Sequence, residues 1–564
     1  MKKIFTIFLS LISISSISQN YVSPFNFPLL LSGTFGELRN NHFHSGIDIK
    51  TASIEGKEIR SIADGYISRI KVSTWGYGRV IYIVHPETGH TSVYAHMQIF
   101  NKEIEKIIQK EQYKKKSFEI NYYPDKNSIP VKKGEVIGLS GNSGQSGGPH
   151  LHFEIRDTKT GHALNPLSFG FEVADNINPV LSEIKIYTHE NSCINHNNED
   201  LRIPLIKNDI NYYLNSSSDI KVNGDISFGI AAIDRQNGAP NNKNGVYAIK
   251  LFVDDTLIHH FEVDKLSFSN KRFLNAHIDY PCYIDNSIRF NRCYTLTYNK
   301  LSNYKRNINK GIVNFSDSLS HKIRFEVSDI KGNTSTLKFN VFSEKNENNC
   351  NKKTDKGDLF LYDKANVYSA LNFEAHLDKY SLYENTNVYY SVGLKTDSTL
   401  SEIHHFMNEN IPLHKKFVVS IKSDIPNNLR NKVFIAKVQN NGTYKYKGKT
   451  WRNEFLSAKT IEFGKYAIVA DTTNPVISNI SKSLKENKFG NIGSVSVKIS
   501  DNESGISFYK GEVDGKWVLM EYEYKDNRLI YYFPNNFTKG DHFIQITVTD
   551  KVDNTTVLSK KFSY

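Results

Sequence analysis

Three short sequence motifs occur twice, in the same order, in the C-terminal two-thirds of this 564-residue chain. A repeated set of motifs restricts the fold, because one supersecondary unit must then be built twice along the chain. The pairs are residues 175–180 with 471–476, 233–238 with 499–505, and 327–333 with 548–554. Pro179 and Asp329 are 150 positions apart, whereas Pro475 and Asp550 are only 75 apart. We therefore expect an insertion in the first copy.

The pattern between the motifs predicts β structure. Each copy alternates apolar and polar residues between turn signals, which is typical of an immunoglobulin-like β-sandwich. The composition agrees, since the chain has 34 Phe and 32 Tyr but only 4 Met, and aromatic side chains pack well on pleated sheets. Residues 25–170 also read as short strands separated by glycine turns. We predict a mainly β chain, with an N-terminal antiparallel β-sheet domain followed by immunoglobulin-like β-sandwich domains.

Changes of pattern and composition divide the chain into segments, in line with the three to four domains that its length suggests. The predicted segments are a signal peptide (1–18), an N-terminal domain (19–170), a β-sandwich with an insertion (171–345), a linker (346–363), a β-rich domain (364–470) and a final β-sandwich (471–564). The linker is predicted because residues 343–356 are rich in Asn and Lys and poor in apolar residues.

The N-terminus predicts export. A basic start at Lys2 and Lys3 precedes an apolar run over residues 4–17, which ends in the small-x-small pattern Ser16-Ile-Ser18. This run is too short for a membrane span of about 20 residues, and no later segment supplies one. We expect the mature protein to be periplasmic or extracellular, without a transmembrane segment.

The four cysteines are compatible with disulfides in such a compartment. Cys282 and Cys293 are close enough in sequence to close a small loop, and both are expected to lie in the insertion of the first copy. The other two are Cys193 and Cys350. Four cysteines allow three full pairings, so the sequence does not decide the connectivity.

The net charge of +12 would favour anionic partners such as acidic wall polymers. A general compositional bias explains this charge better than a selected electrostatic role. The chain contains neither a zinc-finger spacing nor an RNA-recognition motif, and nucleic acid is therefore not predicted as a partner.

The N-terminal domain contains a constellation of histidines and one aspartate that could bind a metal ion. His150 and His152 are two apart on a predicted strand and should project into one groove. Gly46, between His44 and Asp48, is expected to let the backbone bend so that both side chains reach one ion. Two histidines and one carboxylate suit a catalytic zinc ion, which activates a water molecule for attack on an amide. The residues alone leave open whether His150 or His152 is the third ligand.

The longer match around these residues resembles the lysostaphin/LytM-type zinc endopeptidases, a family of peptidoglycan hydrolases. The resemblance covers residues 35–156, with the motifs at 43–48, 62–67, 76–78, 94–97, 131–138, 143–144 and 148–154. It implies that His44, Asp48 and His152 bind Zn²⁺. It also implies that His96 and His150 are catalytic and act on the zinc-bound water and the developing oxyanion.

The predicted function is an exported zinc metallo-endopeptidase that hydrolyses an amide bond in the stem peptides or cross-links of peptidoglycan. The β-sandwich domains would position it and could contact envelope proteins. One alternative is a non-enzymatic envelope protein that binds the wall and activates another hydrolase. Another is a secreted protease that acts on glycine-rich proteins.

Three local features receive more limited interpretations. The long segment over residues 102–127, between His96 and Val131, is interpreted as a lid or wall of the groove, or equally as a surface decoration. His85 and His90, which flank a predicted hairpin turn, are expected to be solvated. The acidic turn at residues 501–505 is interpreted as a solvated loop, because one short turn cannot complete an oxygen cage for Ca²⁺.

Overall fold

A computed structural model describes residues 21–216, 218–344 and 357–564 of the chain. The predicted signal peptide, Cys350 and much of the predicted linker lie outside the described residues. The chain is mainly β, as predicted, and its sheets are almost entirely antiparallel. No helix in the described ranges is long and apolar enough to cross a membrane.

The N-terminal region is built on one antiparallel sheet with the central order β1-β4-β12-β8-β7-β6-β10. The hairpin predicted around His85 and His90 is formed by β7 and β8, and helix α1 follows β8. The elements are β1 (Leu31–Gly33), β2 (Leu38–Arg39), β3 (His42–Phe43), β4 (Ile47–Lys50), β5 (Glu58–Arg60), β6 (Gly65–Val72), β7 (Arg79–His85), β8 (His90–Phe100), α1 (Lys102–Lys115), β9 (Ile120–Tyr122), β10 (Pro130–Val131), β11 (Val136–Ser140), β12 (His150–Asp157), β13 (Ala163–Leu164) and a 3₁₀ helix (Pro166–Phe169).

The alternation of β12 places the histidines. Leu151, Phe153 and Ile155 are fully buried in the core of the N-terminal region, so the residues between them face the opposite side of the sheet. Burying one such side chain contributes about 1.5–3 kcal/mol. A shift of one residue would place these three in the groove and the histidines in the core, which fixes the register.

The first repeat unit, defined here as residues 175–343, forms a second group of sheets around its own apolar core. Both of its helices lie between the second and third repeated motifs. Its elements are β14 (Val180–Thr188), β15 (Cys193–Ile194), β16 (Leu201–Asn208), β17 (Asn211–Leu214), β18 (Lys221–Gln236), β19 (Ala239–Asn244), β20 (Ala248–Val253), β21 (Thr256–Glu262), β22 (Lys265–Leu266), α2 (Leu274–His277), α3 (Tyr280–Asn286), β23 (Phe290–Arg292), β24 (Tyr304–Asn307), β25 (Val313–Phe315), β26 (Ser320–Ser328), β27 (Thr334–Ser343) and 3₁₀ helices at Phe268–Phe273 and Ile308–Gly311.

The small loop that Cys282 and Cys293 could have closed is not formed. Both are buried free thiols, whereas Cys193 is disulfide-bonded. Burial raises the pKa of the Cys282 thiol, which keeps it protonated at neutral pH.

The two remaining regions are pairs of facing sheets. The third region, residues 357–470, has five-stranded sheets in the orders β29-β30-β34-β38-β37 and β32-β33-β39-β35-β36 around one core. Its elements are β28 (Leu359–Phe360), β29 (Asn366–Ala370), β30 (Phe373–Leu377), β31 (Thr386–Asn387), β32 (Tyr390–Gly393), β33 (Ile403–Phe406), β34 (Phe417–Lys422), a 3₁₀ helix (Asn427–Leu429), β35 (Val433–Val438), β36 (Tyr444–Gly448), β37 (Thr450–Arg452), β38 (Phe455–Thr460) and β39 (Gly464–Ala470). Strand β28 lies within the predicted linker and pairs with β31.

The second repeat unit, residues 471–564, has four-stranded sheets in the orders β40-β41-β45-β44 and β43-β42-β46-β47, with a shared core between them. Its strands are β40 (Val476–Glu486), β41 (Ile492–Ser500), β42 (Ile506–Val513), β43 (Lys516–Val518), β44 (Met520–Glu523), β45 (Arg528–Tyr532), β46 (Asp541–Asp550) and β47 (Thr555–Ser563).

The second repeat unit packs against the N-terminal region through a buried ion cluster. The Arg79 guanidinium, only 2% exposed, donates to Glu105 of α1 at 3.0 Å and to Glu521 of the second repeat unit at 2.9 Å. The ring of Trp75 contacts that of Tyr524, with centroids 3.9 Å apart. The chain therefore folds back so that its C-terminal unit contacts its N-terminal one.

Candidate metal centre

Two side chains of the N-terminal sheet and one from the segment just before β4 converge on one point. Asp48 of β4 and His152 of β12 are direct cross-strand partners, which places both side chains on the same face. The carboxylate oxygen Oδ1 of Asp48 is 2.9 Å from His152 Nδ1 and 3.1 Å from His44 Nε2. The two ring nitrogens are 2.9 Å apart. All three side chains are buried.

The hydrogen bonds of the outer ring nitrogens of His44 and His152 show which nitrogens face the Asp48 carboxylate. His44 Nδ1 is 2.8 Å from the carbonyl oxygen of Thr34, to which only an N–H can donate. His152 Nε2 is 2.8 Å from the Glu154 carboxylate. With those protons outward, the inner nitrogens of the neutral rings present lone pairs towards the Asp48 carboxylate oxygen. Three lone pairs directed at one point fit a cation.

Glu154 orients the His152 ring through a hydrogen bond to its outer nitrogen. Its oxygen Oε1 accepts from His152 Nε2, from Ser45 Oγ at 2.6 Å and from the Tyr77 hydroxyl. Its other oxygen accepts from Arg156 Nε at 2.6 Å. Burial opposes the charge of Glu154, but Arg156 and His152 hold the pKa of this carboxyl well below its usual value. An ionised Glu154 fixes the tautomer and the orientation of His152.

Arg39 does the same for Asp48. Its guanidinium donates to Asp48 Oδ2 at 2.5 Å, which leaves Oδ1 for the metal point. Burial alone would raise the pKa of Asp48, but charge and hydrogen bonds from His44, His150 and His152 hold it well below the usual value. Arg39, Glu154 and Tyr77 were not predicted as site residues. Glu154 and Tyr77 lie within the matched motifs at 148–154 and 76–78, whereas Arg39 lies outside all of these motifs.

His150 and His96 lie beside the three converging side chains. His150 Nε2 is 3.5 Å from Asp48 Oδ1, and its Nδ1 is 2.8 Å from the carbonyl oxygen of Gly148. His96 Nδ1 is 2.8 Å from the carbonyl oxygen of Ser143. The His96 and His150 rings are 4.9 Å apart. Both rings therefore turn Nε2 away from these carbonyls, and burial lowers the pKa of His96 to about 3.

A bulge in β8 brings His96 to this face. Tyr94 and Met97 both lie in the core of the N-terminal region, although residues three apart on a regular strand face opposite sides. The pairing of β8 with β7 shifts at this point, and His96 has a left-handed φ of 61°. Such a conformation is disfavoured for a non-glycine residue, and bulges commonly re-aim side chains next to active sites.

Gly46 has a different role from the one predicted. It is not among the glycines with positive φ in the described chain, so no special bend depends on it. A Cβ there would lie 2.3 Å from the carbonyl oxygen of Phe153. A glycine is needed because the segment that carries His44 packs directly on the backbone of β12.

A cleft of about 880 Å³ opens in front of these residues. One wall belongs to the N-terminal region and includes Tyr77 and Arg156, and the other is formed by residues 266–303 of the first repeat unit. Arg156 joins the two walls, with its guanidinium 4.1 Å from the centre of the Phe268 ring. Six lining residues are basic and one is acidic: Arg39, Arg69, Lys71, Arg156, Lys271 and Arg289, against Glu37.

The structure disfavours one of the two interpretations of residues 102–127, and the expectation that His85 is solvated is wrong. Within the described chain, none of residues 102–127 lines this cleft. Helix α1 instead contacts the second repeat unit, with the ring centroids of Tyr113 and Trp517 5.2 Å apart, so this segment does not form a lid over the groove. His85 is not solvated either, since it is buried and bonded to Ser92 Oγ at 2.7 Å.

Comparison with known proteins assigns a family to this region. The family model for peptidase family M23 matches residues 42–113 and 125–166, and a model for the Zu5-like domain matches residues 357–471. The DD-carboxypeptidase/endopeptidase Mpg of Neisseria meningitidis serogroup B is 34% identical over 125 residues, which is 22% of this chain and 22% of the relative. The murein hydrolase activator EnvC of Escherichia coli is 32% identical over 114 residues, 20% of each chain.

Solved structures are also similar to this region. The catalytic domain of lysostaphin from Staphylococcus simulans is 24% identical, with 24% of this chain and 87% of that chain covered and a TM-score of 0.18. This chain spans about a fifth of the length of Mpg and of EnvC. Of the two family models, one matches the N-terminal region and the other matches the third region.

Proposed function

We propose, from the premise that residues 42–166 contain a domain of peptidase family M23 of the lysostaphin/LytM type, that the protein is an exported zinc metallo-endopeptidase. Its substrate would be an amide bond in the stem peptides or cross-links of peptidoglycan. The observation that carries the proposal is the convergence of His44 Nε2, Asp48 Oδ1 and His152 Nδ1 within 3.1 Å of one another.

His44, Asp48 and His152 would hold the zinc ion, since two imidazoles and a carboxylate are a common catalytic donor set. Zinc at this position supplies Lewis acidity and a water nucleophile near neutral pH. Of the two possible third ligands, His152 is favoured, because its Nδ1 is 2.9 Å from Asp48 Oδ1 whereas His150 Nε2 is 3.5 Å away.

His96 and His150 are proposed as the proton-transfer groups. Each has a Nδ1 proton that can donate to a backbone carbonyl, which leaves the Nε2 lone pair available. One of these nitrogens would accept a proton from the attacking water, and the imidazolium so formed would donate it to the oxyanion or to the departing amine. Because the centroids of the two rings are 4.9 Å apart, the two histidines could share this proton transfer.

The charge of the cleft supports an acidic peptide as the substrate. Arg39 and Arg156 are already paired with Asp48 and Glu154. In the described part of the chain, the other four basic lining residues, Arg69, Lys71, Lys271 and Arg289, are in no ion pair with an acidic side chain. They could bind carboxylates, which peptidoglycan stem peptides carry. The names of Mpg and EnvC support the same substrate class.

The remaining assignments are also proposals. Export to the periplasm or beyond is supported by the basic and apolar N-terminus. The strand orders of the second repeat unit, which place the first, second, fifth and sixth strands in one sheet, support an immunoglobulin-like sandwich. The predicted domain limits and contacts with envelope proteins rest on the sequence pattern.

A second candidate is a non-enzymatic activator of another wall hydrolase, which the match to EnvC favours. In this chain, histidine or aspartate is present at all of the proposed ligand and proton-transfer positions, which supports the enzyme instead. The two candidates differ in whether the protein itself releases new peptide ends from peptidoglycan.

The test is to incubate the purified full-length exported chain with cell-wall sacculi and to identify released fragments by mass spectrometry. We expect stoichiometric zinc and new amide-derived ends, with both abolished in His152→Ala and retained in His376→Ala, an exposed histidine outside the cleft. Sacculus binding without release, or release that survives His152→Ala, would contradict the proposal.

A further inference from the structure

Each repeat unit contains a cluster of three aspartates that the metallopeptidase chemistry does not use. One cluster consists of Asp175, Asp234 and Asp329, and the other of Asp471, Asp501 and Asp550. Within each cluster, one oxygen from each carboxylate lies within 4.8 Å of the other two. Each of the three repeated motifs supplies one aspartate to each cluster. The acidic turn at residues 501–505 is therefore part of a larger assembly rather than an isolated solvated loop.

The same hydrogen bonds build both clusters. The backbone N–H of Asn333 donates to Asp329 Oδ1 at 2.9 Å, and that of Asn554 donates to Asp550 Oδ1 at 2.8 Å. The side-chain amide of each asparagine also donates to the second oxygen of the same aspartate and to the carbonyl oxygen of the first aspartate, Asp175 or Asp471. One asparagine thus holds the first and third acids together in each unit.

Buried polar atoms at the first cluster have no partner. Asp234 is only 2% exposed, and its Oδ1 makes no hydrogen bond in the described chain. Asn244 is directly opposite Asp234 on β19, so the two side chains share a face. Asn244 is also 2% exposed, and neither its amide oxygen nor its amide nitrogen has a partner. Leaving such groups unpaired is costly unless something else binds them.

The second cluster shows the same deficiency. Ser504 is 1% exposed, and its hydroxyl oxygen has no hydrogen-bond partner among the described residues. It lies against the cluster, since its backbone N–H donates to Asp471 Oδ2 at 3.1 Å. In both units, an unsatisfied buried oxygen therefore accompanies the three carboxylates.

The clusters also have no ion-paired cation in the described part of the protein, since the charges of Lys331 and Lys551 act on Asp175 and Asp501 only from beyond ion-pair distance. Throughout residues 21–216, 218–344 and 357–564, no Lys, Arg or His is within ion-pair distance of any of the six aspartates. Burial, and then the charges of Asp175 and Asp329, raise the pKa of Asp234 to about 8. Burial raises that of Asp175 to about 6. These carboxylates are poorly tolerated as anions without a cation.

The donors select the class of cation. All of them are oxygens, which hard divalent ions prefer, and no His or Cys is present in either group. Ca²⁺ binds oxygens at about 2.3–2.6 Å in flexible geometry, whereas Mg²⁺ requires near-ideal octahedral geometry with metal–oxygen distances of about 2.0–2.1 Å. A side-chain amide such as that of Asn244 is a usual further ligand for Ca²⁺.

We propose that each repeat unit binds one Ca²⁺ ion between its three aspartates. The proposal goes beyond the metallopeptidase function and does not depend on it.

Both sites lie where one region of the chain passes into the next. Asp175 lies in the connection between the 3₁₀ helix that ends at Phe169 and strand β14. Asp471 directly follows β39, and its backbone N–H donates to the carbonyl oxygen of Lys432 in the third region at 2.9 Å. Lys432 in turn donates to the carbonyl oxygen of Val552. An ion at each position would tie the entering chain to the far loops of the repeat unit and fix the orientation between regions.

The test uses the full-length chain, freed of calcium on a chelating resin and supplied with one equivalent of Zn²⁺. Isothermal titration with Ca²⁺ alone should show two sites per chain. Asp234→Asn should remove one site and Asp501→Asn the other, while Asp397→Asn, an exposed acid outside the clusters, should retain both. Asp234→Asn breaks no hydrogen bond at Oδ1, and the amide oxygen of Asp501→Asn can still accept from the turn backbone.

Thermal unfolding separates loss of binding from loss of folding. Without Ca²⁺, Asp234→Asn should melt no lower than the unmodified chain, because it removes carboxylate repulsion, but its Ca²⁺-dependent rise in Tm should be smaller. Absence of saturable Ca²⁺ binding, retention of both sites in both variants, or tighter binding of Mg²⁺ would overturn the proposal. Zinc content should be unchanged in all three variants, so failure here is distinguishable from failure of the zinc site.

Discussion

The N-terminal region and the two repeat units treat buried charge in opposite ways. In the N-terminal region, each buried acid at the groove has a protein counter-charge: Arg39 for Asp48 and Arg156 for Glu154. The aspartate clusters of the repeat units form no such ion pair among the described residues. An uncompensated buried charge is costly. The groove meets this cost with arginines of the protein itself, whereas the aspartate clusters require a cation from solution.

The donor atoms sharpen the same contrast. The groove presents two imidazole nitrogens and one carboxylate oxygen, and each ligand is oriented by a further hydrogen bond. The clusters present oxygens only, some of them without a partner. A rigid mixed donor set suits zinc, whereas a flexible oxygen set suits calcium.

The largest effect is expected when an arginine that neutralises buried acids is removed. Arg79→Met leaves Glu105 buried without its cation and leaves Glu521 with Lys488 alone, so we expect the free energy of unfolding to fall by about 3–5 kcal/mol. Urea denaturation of the full chain measures this change, and protease release of the second repeat unit reports loss of its docking. Arg452→Met, at an exposed arginine, is the control. A loss no greater than that of the control would show that this cluster does not hold the two regions together.

A second variant tests how the groove orients its ligands. Glu154→Gln keeps the size of the side chain but removes the charge that accepts from His152 Nε2. We expect zinc affinity to fall about 10–100-fold, as for other residues that orient a metal ligand. Competition with a zinc chelator measures the affinity. Glu87→Gln, in an exposed turn, should match the unmodified chain, and equal affinities for all three proteins would mean that Glu154 has no orienting role.

Taken per pH unit, the smallest expected effect is the pH dependence of zinc binding. In the metal-free protein, burial lowers the pKa of His152, but hydrogen bonds and charge from Asp48 and Glu154 outweigh it and raise this pKa to about 9. Burial lowers that of His44 to about 4. Between these values one proton must leave His152 when zinc binds, so affinity should weaken about tenfold for each unit that the pH falls. A flat affinity from pH 8 to pH 5, measured by the same competition, would contradict this assignment.

Much of the candidate site could be predicted from local sequence. His44 and Asp48 are four residues apart, and His150 and His152 are two apart on a strand, so pattern alone suggested that each pair converges. Leu151 and Phe153 mark the core face of the same strand. The choice between His150 and His152 was not available in this way, because it depends on which residue of β12 is opposite Asp48.

Other parts of the site could not be predicted because they depend on contacts between distant segments. Arg39 and Thr34 reach the ligands only because the chain before β4 lies across the sheet. The position of His96 depends on a bulge that interrupts alternation in β8. The wall formed by residues 266–303 comes from the insertion in the first repeat unit, whose place beside the groove no local pattern indicates.

The sequence by itself determined the mainly β fold, the repeated motifs and the set of residues that could bind a metal in the groove. These depend on side-chain periodicity and spacing, which act over a few residues. Only the tertiary structure decided that three aspartates from each set of repeated motifs meet in one cluster, and that the second repeat unit docks on Arg79. The physical reason is that burial and mutual distance set the energy of a charge, and both are fixed only when segments far apart in the chain pack together.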